Sequence, residues 1–283
     1  MNRVNGTELR LIGMSRSGNH ALIHWITSQL RGSYCFLNCC EGKSNPFESA
    51  RAIDDGRRAV TNIPNLEIER EQRGELTDKD WLLFSHEDNF LANACSSLFE
   101  DNHDHWIGAS SRRIDLLLLR DPFNLFASRM AHDLASITSS VAARIWKQHA
   151  RQFVRGPRAL RHEPVLVRYD RWVRELDYRR ALAERLGIGF TDAGINDVPA
   201  VAGGSTFDGR AYHGDAREMR VFDRWRRMIA RPEYRALFDD ELIELAVEIF
   251  GPSPAAAALR SSLGVPRRRT NDEARRAGCE SQP

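Results

Sequence analysis

Apolar and polar positions near the start of the chain change from the pattern of a strand to that of a helix. Residues 9–13 form a short, mostly apolar run that is typical of a strand. Apolar side chains then recur with helical spacing at Leu22, Trp25, Ile26 and Leu30. The pattern predicts a strand, a tight loop and a helix.

The same alternation continues along the chain. Strands are predicted at 33–40, 81–89, 114–119 and 164–170. The 114–119 segment is almost wholly apolar, as strands covered on both faces of a parallel sheet tend to be. Helices are predicted to begin at Asp121-Pro122, to cover about 139–154, and to end at Gly187. Strands that alternate with helices predict an α/β fold with a central parallel sheet flanked by helices.

The remaining segments are less regular. The polar, turn-rich 41–80 segment receives no firm assignment, about 190–220 is predicted as loop, and about 218–250 as helical. After Pro252 the chain is rich in Ala, Arg, Ser and Pro, which can bury little. We therefore expect one domain over residues 1–252 and a flexible tail over 253–283.

Composition and charge narrow the function classes. The 41 basic and 39 acidic residues nearly balance, and the arginines are scattered, so a dedicated nucleic-acid surface is not expected. Five cysteines without a Cys-x-x-Cys pair favour neither a disulfide framework nor a zinc site. No signal peptide is apparent at the N-terminus, and no run of eighteen apolar residues predicts a membrane span. A reduced, cytoplasmic protein is expected.

The turn between the first strand and helix has the composition of an anion-binding loop. The amides of a helix's first turn lack partners within the helix, and the helix dipole makes that end partly positive. Gly13 and Gly18 have the spacing of a Walker A loop, but Asn19 and His20 stand where such a loop has Lys and Ser/Thr. The basic residue is instead Arg16, inside the turn.

Two segments together resemble the sulfotransferase family. The "RSGNH" stretch is similar to the family's 5′-phosphosulfate loop, basic-Ser-Gly-Thr-Thr: it matches at Arg16, Ser17 and Gly18 and departs at Asn19 and His20, whose side chains can still donate to phosphate. The family also places an arginine at a strand end and a serine eight residues later, near the start of the next helix, to hold the donor's 3′-phosphate. Arg120 and Ser128 have that separation.

Later segments extend the resemblance. "VLVRYD" resembles the family strand that places a tyrosine near adenine, here Tyr169. "GGSTFDGRAY" and "VFDRWRRM" resemble the late loop and helix that close over the nucleotide, with Ser205 and Arg210 as donors to the 3′-phosphate and Trp225 as an anchor. The resemblance implies a P-loop NTPase-like fold and 3′-phosphoadenosine 5′-phosphosulfate as donor, with no metal required.

The resemblance also implies a base that activates a hydroxyl-bearing acceptor, either a small molecule or a carbohydrate. Family enzymes often carry a Ser-His or Thr-His pair on the strand between the phosphate motifs, and "LLFSHED" places His86 there, beside Glu87. Histidine suits a general base near neutral pH. Other members use a glutamate, so Glu87 and Glu41 remain alternatives, and 41–80 is expected on the acceptor side.

Two other functions remain open. One is a P-loop kinase that uses ATP and magnesium, which the absence of the loop-end Lys and Ser/Thr disfavours. The other is a non-catalytic member that keeps the fold to bind a nucleotide. His20 and His24 lie one helical turn apart, a geometry that can bind metal, but they lack an HExxH pattern and no metal site is expected.

Overall fold

The computed structural model describes residues 3–53, 56–131, 140–199, 204–205 and 207–262. These residues contain one sheet of six strands. The strands are β1 (Arg3–Gly13), β2 (Tyr34–Leu37), β3 (Ala59–Thr61), β4 (Lys79–Glu87), β5 (Ala109–Leu119) and β6 (Glu163–Arg168). Their order is β3–β2–β4–β1–β5–β6, and all neighbours pair in parallel except β3, which is antiparallel to β2 at one edge. The predicted α/β fold with a central parallel sheet is confirmed, with β3 as an antiparallel addition.

Helices connect and cover the strands. They are α1 (Asn19–Thr27), α2 (Pro46–Ser49), α3 (Ile68–Gln72), α4 (Leu91–Ala94), α5 (Ser97–Trp106), α6 (Pro122–Ala131), α7 (Ser140–Arg155), α8 (Tyr169–Arg174), α9 (Leu176–Leu186), α10 (Pro232–Arg235), α11 (Asp240–Phe250) and α12 (Pro254–Ser262). Among the residues that the structure describes, the 3₁₀ helices Ala216–Glu218 and Arg224–Arg227 lie between α9 and α10. No described helix has the length and apolar character needed to cross a membrane.

Both faces of the sheet are covered, which explains why its central strands are apolar throughout. Successive side chains of a strand point to opposite faces. Leu9 and Leu11 of β1 pack in a cluster with residues of α1, α8 and α9, whereas Ile12 packs with Leu117 of β5 and residues of α4. Each face thus receives its own layer of helices, as expected for a parallel sheet.

The predicted strands and most predicted helices are present, but the 218–250 segment is not one helix. It divides into the 3₁₀ helix Arg224–Arg227, then α10 and α11. Pro232 is the physical reason, because proline lacks an amide donor and disfavours helical backbone at the residue before it. Arg231 accordingly has an extended conformation, and α10 begins at Pro232.

Two segments expected to be irregular contain regular elements. The 41–80 segment forms α2, β3 and α3 before β4 begins. Beyond Pro252, where a tail is predicted, α12 buries Ala255, Ala256 and Leu259 in the cluster that also contains residues of α7 and α11. The rest of the predicted tail, 263–283, lies outside the described residues.

The parallel strands place several chain turns at one edge of the sheet. β1, β2, β4, β5 and β6 run in the same direction, so their carboxyl ends lie along that edge. The chain leaves β1 towards β2 on one side, while β5 lies on the other side of β1. Ligands of open α/β sheets bind at such a switch point.

Candidate functional site

The loop that follows β1 is shaped to hold an anion. It turns tightly, with the Ser17 amide donating to the Met14 carbonyl at 3.0 Å. Arg16 and Gly18 have φ angles of 71° and 103°, in the left-handed region. Gly18 is the N-cap of α1, and as a glycine it has no side chain to cap the first-turn amides. The positive end of α1 is therefore left for a ligand.

A cavity of about 340 Å³ opens beside this loop. Its wall includes Gly18 to Ala21, from the loop and the first turn of α1, and residues that arrive from β5, α8 and the 204–224 segment. Trp172, Val198 and Met219 supply an apolar part of the wall. The cavity therefore combines an anion-binding loop with apolar wall residues.

Five arginines line this cavity: Arg16, Arg51, Arg120, Arg217 and Arg224. Arg120 is 3 % exposed and donates from Nη1 to the Arg16 carbonyl at 2.9 Å and from Nη2 to the Val221 carbonyl at 2.8 Å. Its Nε has no hydrogen-bond partner among the described residues. Burial, followed by the nearby charge of Arg120, lowers the pKa of Arg16. The cavity therefore concentrates positive charge that an anion would neutralise.

Arg224 forms hydrogen bonds with both serines that the resemblance assigns to the 3′-phosphate. Its Nη1 donates to the Ser128 Oγ at 3.0 Å, and its Nη2 donates to the Ser205 Oγ at 2.7 Å. Asp208 lies 3.3 Å from Nη2, while Nε has no partner in the described part of the chain. Burial, and then the charge of Arg120, lower the pKa of Arg224 to about 10. A guanidinium that lines the wall of a cavity is well suited to bind phosphate.

Tyr169 packs directly on the loop. A Cβ atom at Gly18 would lie 2.4 Å from the Tyr169 Cε2, so only glycine permits this contact. The Arg120 guanidinium lies 4.8 Å from the centroid of the Tyr169 ring, and the Trp172 ring centroid is 5.9 Å away. These contacts hold the aromatic wall of the cavity against its cationic end.

Asn19 links the loop to the end of β4. Its Oδ1 accepts from the Ser17 Oγ at 2.9 Å, and its Nδ2 donates to the Met14 carbonyl at 3.1 Å and to the Glu87 Oε1 at 2.7 Å. Gly13 makes room for this amide, because a Cβ there would lie 2.2 Å from the Asn19 Oδ1.

Glu87 is shared by two cavities. A second cavity of about 600 Å³ meets the first at Ser15, Arg51 and Glu87. Its wall also includes Glu41 from the 41–80 segment and Ile145 from α7. The side chain of Glu87 can therefore contact ligands in both cavities.

His86 is placed differently from its neighbour. Its side chain is 1 % exposed, lies 2.8 Å from the Cys40 carbonyl through Nδ1, and packs edge-on against the Phe84 ring. Burial lowers the pKa of His86 to about 4. His86 lines neither of the two cavities, because side chains alternate along β4 and that of Glu87 points the other way.

The structure brings most of the residues proposed from the sequence to the first cavity: Arg16, Gly18, Asn19, His20, Glu87, Arg120, Tyr169 and Ser205. Ser17 and Ser128 are buried just behind it and reach it through Asn19 and Arg224. Arg210 is exposed and does not line either cavity. Arg224, from the same late segment, lines the first cavity instead.

Sequence reasoning did not select Arg224 or Arg51. In the "RVFDRWRRM" stretch, the α-helical spacing of the apolar residues assigned the arginines to a solvated face. The stretch forms a 3₁₀ helix instead, in which Arg224 and Trp225 are both buried. The sequence feature that could have identified Arg224 is its position immediately before Trp225, the residue that the resemblance names as an anchor.

The two histidines of α1 have separate partners. The His20 Nε2 lies 2.9 Å from the Asn38 Oδ1, and the His24 Nε2 lies 3.0 Å from the Asp197 Oδ2. A search of the described residues for three or more His, Cys, Asp or Glu side chains able to hold a metal ion finds no such group.

Comparison with known proteins defines the fold. No protein-family model and no curated protein sequence matches the chain. The sulfotransferase domain of the olefin synthase of Synechococcus PCC 7002 is 15 % identical, with a TM-score of 0.53 over 89 % of this chain and 98 % of that chain. Mouse sulfotransferase SULT7A1 in complex with PAP is 12 % identical, with a TM-score of 0.48 over 90 % of this chain and 88 % of that chain. The chain has the fold of the sulfotransferases.

Proposed function

We propose that the chain is a sulfotransferase that moves a sulfuryl group from 3′-phosphoadenosine 5′-phosphosulfate to a hydroxyl-bearing acceptor. The fold supports sulfuryl transfer in general. The observation that carries the finer proposal is the convergence of Arg16, Arg120 and Arg224 on one cavity at the open N-terminus of α1. Two separate phosphate groups on one nucleotide match this distribution of donors.

Each part of the donor has a matching part of the cavity. The 5′-phosphosulfate would lie on the loop, against Arg16 and the first-turn amides of α1. The 3′-phosphate would lie against the guanidinium groups of Arg120 and Arg224, which both line the cavity. The adenine would occupy the apolar end, beside Tyr169 and Trp172.

The base is proposed at Glu87 rather than at His86, because Glu87 is the one that lines the cavities. The acceptor enters through the second cavity, and Glu87 takes its hydroxyl proton. The acceptor oxygen then bonds to sulfur while the bond from sulfur to the phosphate oxygen breaks. The electron pair stays on that oxygen, where Arg16 stabilises the growing negative charge.

Calorimetry with three nucleotides tests the donor. We expect adenosine 3′,5′-bisphosphate to bind more tightly than adenosine 5′-phosphate, because only the former reaches both ends of the arginine cluster. Tighter binding of ATP–Mg²⁺ would favour the kinase alternative and overturn the proposal. Binding of the bisphosphate without any transfer to a panel of phenols, alcohols and sugars would favour the non-catalytic alternative.

Substitution of the two adjacent candidates tests the base. Glu87→Gln is expected to lower kcat by about 10²–10⁴-fold while donor binding stays nearly intact, as for loss of a general base. His86→Asn, measured beside it, is expected to lower kcat far less. A larger loss of kcat in His86→Asn than in Glu87→Gln would identify His86 as the base.

A further inference from the structure

The carboxylate of Glu87 is held in place by Asn19, the first residue of α1. Glu87 ends β4, and Gly13 faces it in register at the end of β1. The Asn19 Nδ2 crosses between these strand ends to reach the Glu87 Oε1 at 2.7 Å. The second oxygen, Oε2, accepts no hydrogen bond from any described residue, so it is available to a ligand.

The orientation of the Asn19 amide is determined by its neighbours. The Met14 carbonyl and the Glu87 carboxylate can only accept hydrogen bonds, so the atom that faces both must be the donor, Nδ2. The Ser17 hydroxyl donates to the opposite side of the amide at 2.9 Å. With all three contacts made and only 3 % of the residue exposed, the amide cannot rotate without leaving polar groups unpaired.

We propose that Asn19 is a positioning residue that directs the Glu87 carboxylate towards the acceptor hydroxyl. One oxygen is anchored by the Asn19 amide, and the other belongs to a side chain that lines both cavities. The loop that carries Asn19 also surrounds the place proposed for the 5′-phosphosulfate, so one element positions both the sulfur donor and the base. This inference rests on the proposed function.

Asparagine at position 19 can make more hydrogen bonds, and over a longer distance, than the threonine found at this place in the loops that the sequence resembles. A threonine at this place, as in the loops that the sequence resembles, has a shorter side chain with one hydroxyl, whereas asparagine presents two donor hydrogens and an acceptor. Asn19 can therefore contact the Met14 carbonyl, the Ser17 hydroxyl and Glu87 at once.

A double-mutant cycle separates positioning from a general structural role. Asn19→Ala is expected to lower kcat by about 10–100-fold, while the Kd for adenosine 3′,5′-bisphosphate rises by a smaller factor than kcat falls, because Arg16 and the first-turn amides remain. Adding Asn19→Ala to Glu87→Gln should lower kcat by less than about threefold more, because a residue that acts through Glu87 has nothing left to position. Full additivity of the two losses would overturn the inference.

A second variant has an effect that loss of packing does not reproduce. Asn19→Asp places a carboxylate beside Glu87, and two neighbouring carboxylates hold a shared proton to higher pH. The acid limb of the kcat profile should therefore move up by about one pH unit or more. An unmoved limb would contradict the proposal. Thr27→Ala at the far end of α1 is the matched control, with an unchanged profile expected.

A structural readout makes the test independent of the acceptor. In a crystal structure of Asn19→Ala, the Glu87 carboxylate should leave its position or occupy several. If it stays where the parent has it, the inference fails even when transfer is observed. If the parent protein neither binds adenosine 3′,5′-bisphosphate nor transfers sulfate, the proposed function fails instead.

Discussion

At the scale of single residues, the cationic cavity depends on how each guanidinium is partnered. Arg120 and Arg224 are held by carbonyl and hydroxyl oxygens, whose partial charges do not neutralise them. Among the described residues, the only acidic side chain that pairs with either arginine is Asp208, which lies 3.3 Å from Arg224. Such arginines keep most of their capacity to bind an anion.

Loss of Arg224 should weaken binding of the 3′-phosphate. Arg224→Ala removes a buried charged donor, and such a hydrogen bond contributes about 1.5–3 kcal/mol, so affinity for adenosine 3′,5′-bisphosphate should fall about 10–100-fold. Arg226→Ala, on the exposed side of the same 3₁₀ helix, is the matched control and should change affinity little. Calorimetry of both variants measures this, and equal losses would contradict the role of Arg224.

Loss of Arg120 should be selective among nucleotides. Arg120→Ala is expected to weaken adenosine 3′,5′-bisphosphate far more than adenosine 5′-phosphate, because only the former has the phosphate assigned to Arg120. Titration of the variant with both nucleotides, after its thermal melt has shown that it folds, measures the ratio. Equal losses of affinity for the two nucleotides would contradict the assignment of Arg120 to the 3′-phosphate.

At the scale of elements, the β1–α1 turn works only with glycine at its end. Gly18 has a φ of 103° and lies against Tyr169 of α8, so backbone conformation and packing both exclude a side chain. The turn, the uncapped helix end and the aromatic wall therefore depend on one residue.

Gly18→Ala should disturb the site as well as the backbone. A left-handed conformation costs an alanine about 1–2 kcal/mol, and the new Cβ would also displace the Tyr169 ring. Gly74→Ala is the matched control, because Gly74 has a φ of 81° and open space at the Cβ position. Both variants should melt at lower temperature, but only Gly18→Ala should weaken nucleotide binding. Unchanged binding in Gly18→Ala would show that Tyr169 does not contribute.

At the scale of the whole molecule, a charged network ties the sheet to α5. Arg10 of β1 and Asp115 of β5 are each 1 % exposed and form a two-fold hydrogen bond at 2.8 and 3.0 Å. Glu100 of α5 bonds to Arg10 at 3.1 Å and approaches Arg113 at 2.9 Å. Breaking one member of such a buried network leaves an unpaired charge.

The network should make the protein sensitive to acid. Burial raises the pKa of Glu100, but the hydrogen bond from His162 and the charges of Arg10 and Arg113 outweigh it and lower the pKa from 4.5 to about 2. A lowered folded-state pKa stabilises the protein above the unfolded value, and that contribution is lost as pH falls from about 4.5 towards 2.

Urea unfolding at a series of pH values measures this effect. The free energy of unfolding should decline less steeply over that pH range in Glu100→Gln than in the parent. Glu248→Gln, at an exposed position of α11, is the matched control and should keep the parent's slope. A Glu100→Gln slope equal to that of the parent would contradict the assignment.

Local pattern alone determined the order of the five parallel strands and of the helices α1, α6, α7 and α9, and it placed Arg16 in the turn after β1 and Arg120 directly after β5. Those features depend on periodicity, capping and turn residues, which lie within a few positions of one another. Pro232 in the 218–250 segment and the apolar face of α12 are local features too, but the sequence predicted one helical region for the first and a tail for the second.

Only the tertiary structure decided which side chains meet. Whether His86 or Glu87 faces a ligand depends on which face of β4 is turned to the cavity, and one position along a strand reverses the answer. Arg224, rather than Arg210, reaches the cavity because the late segment folds back on α6, where Ser128 receives its hydrogen bond. Contacts between residues far apart in sequence arise from packing of the whole chain, and local propensity does not contain them.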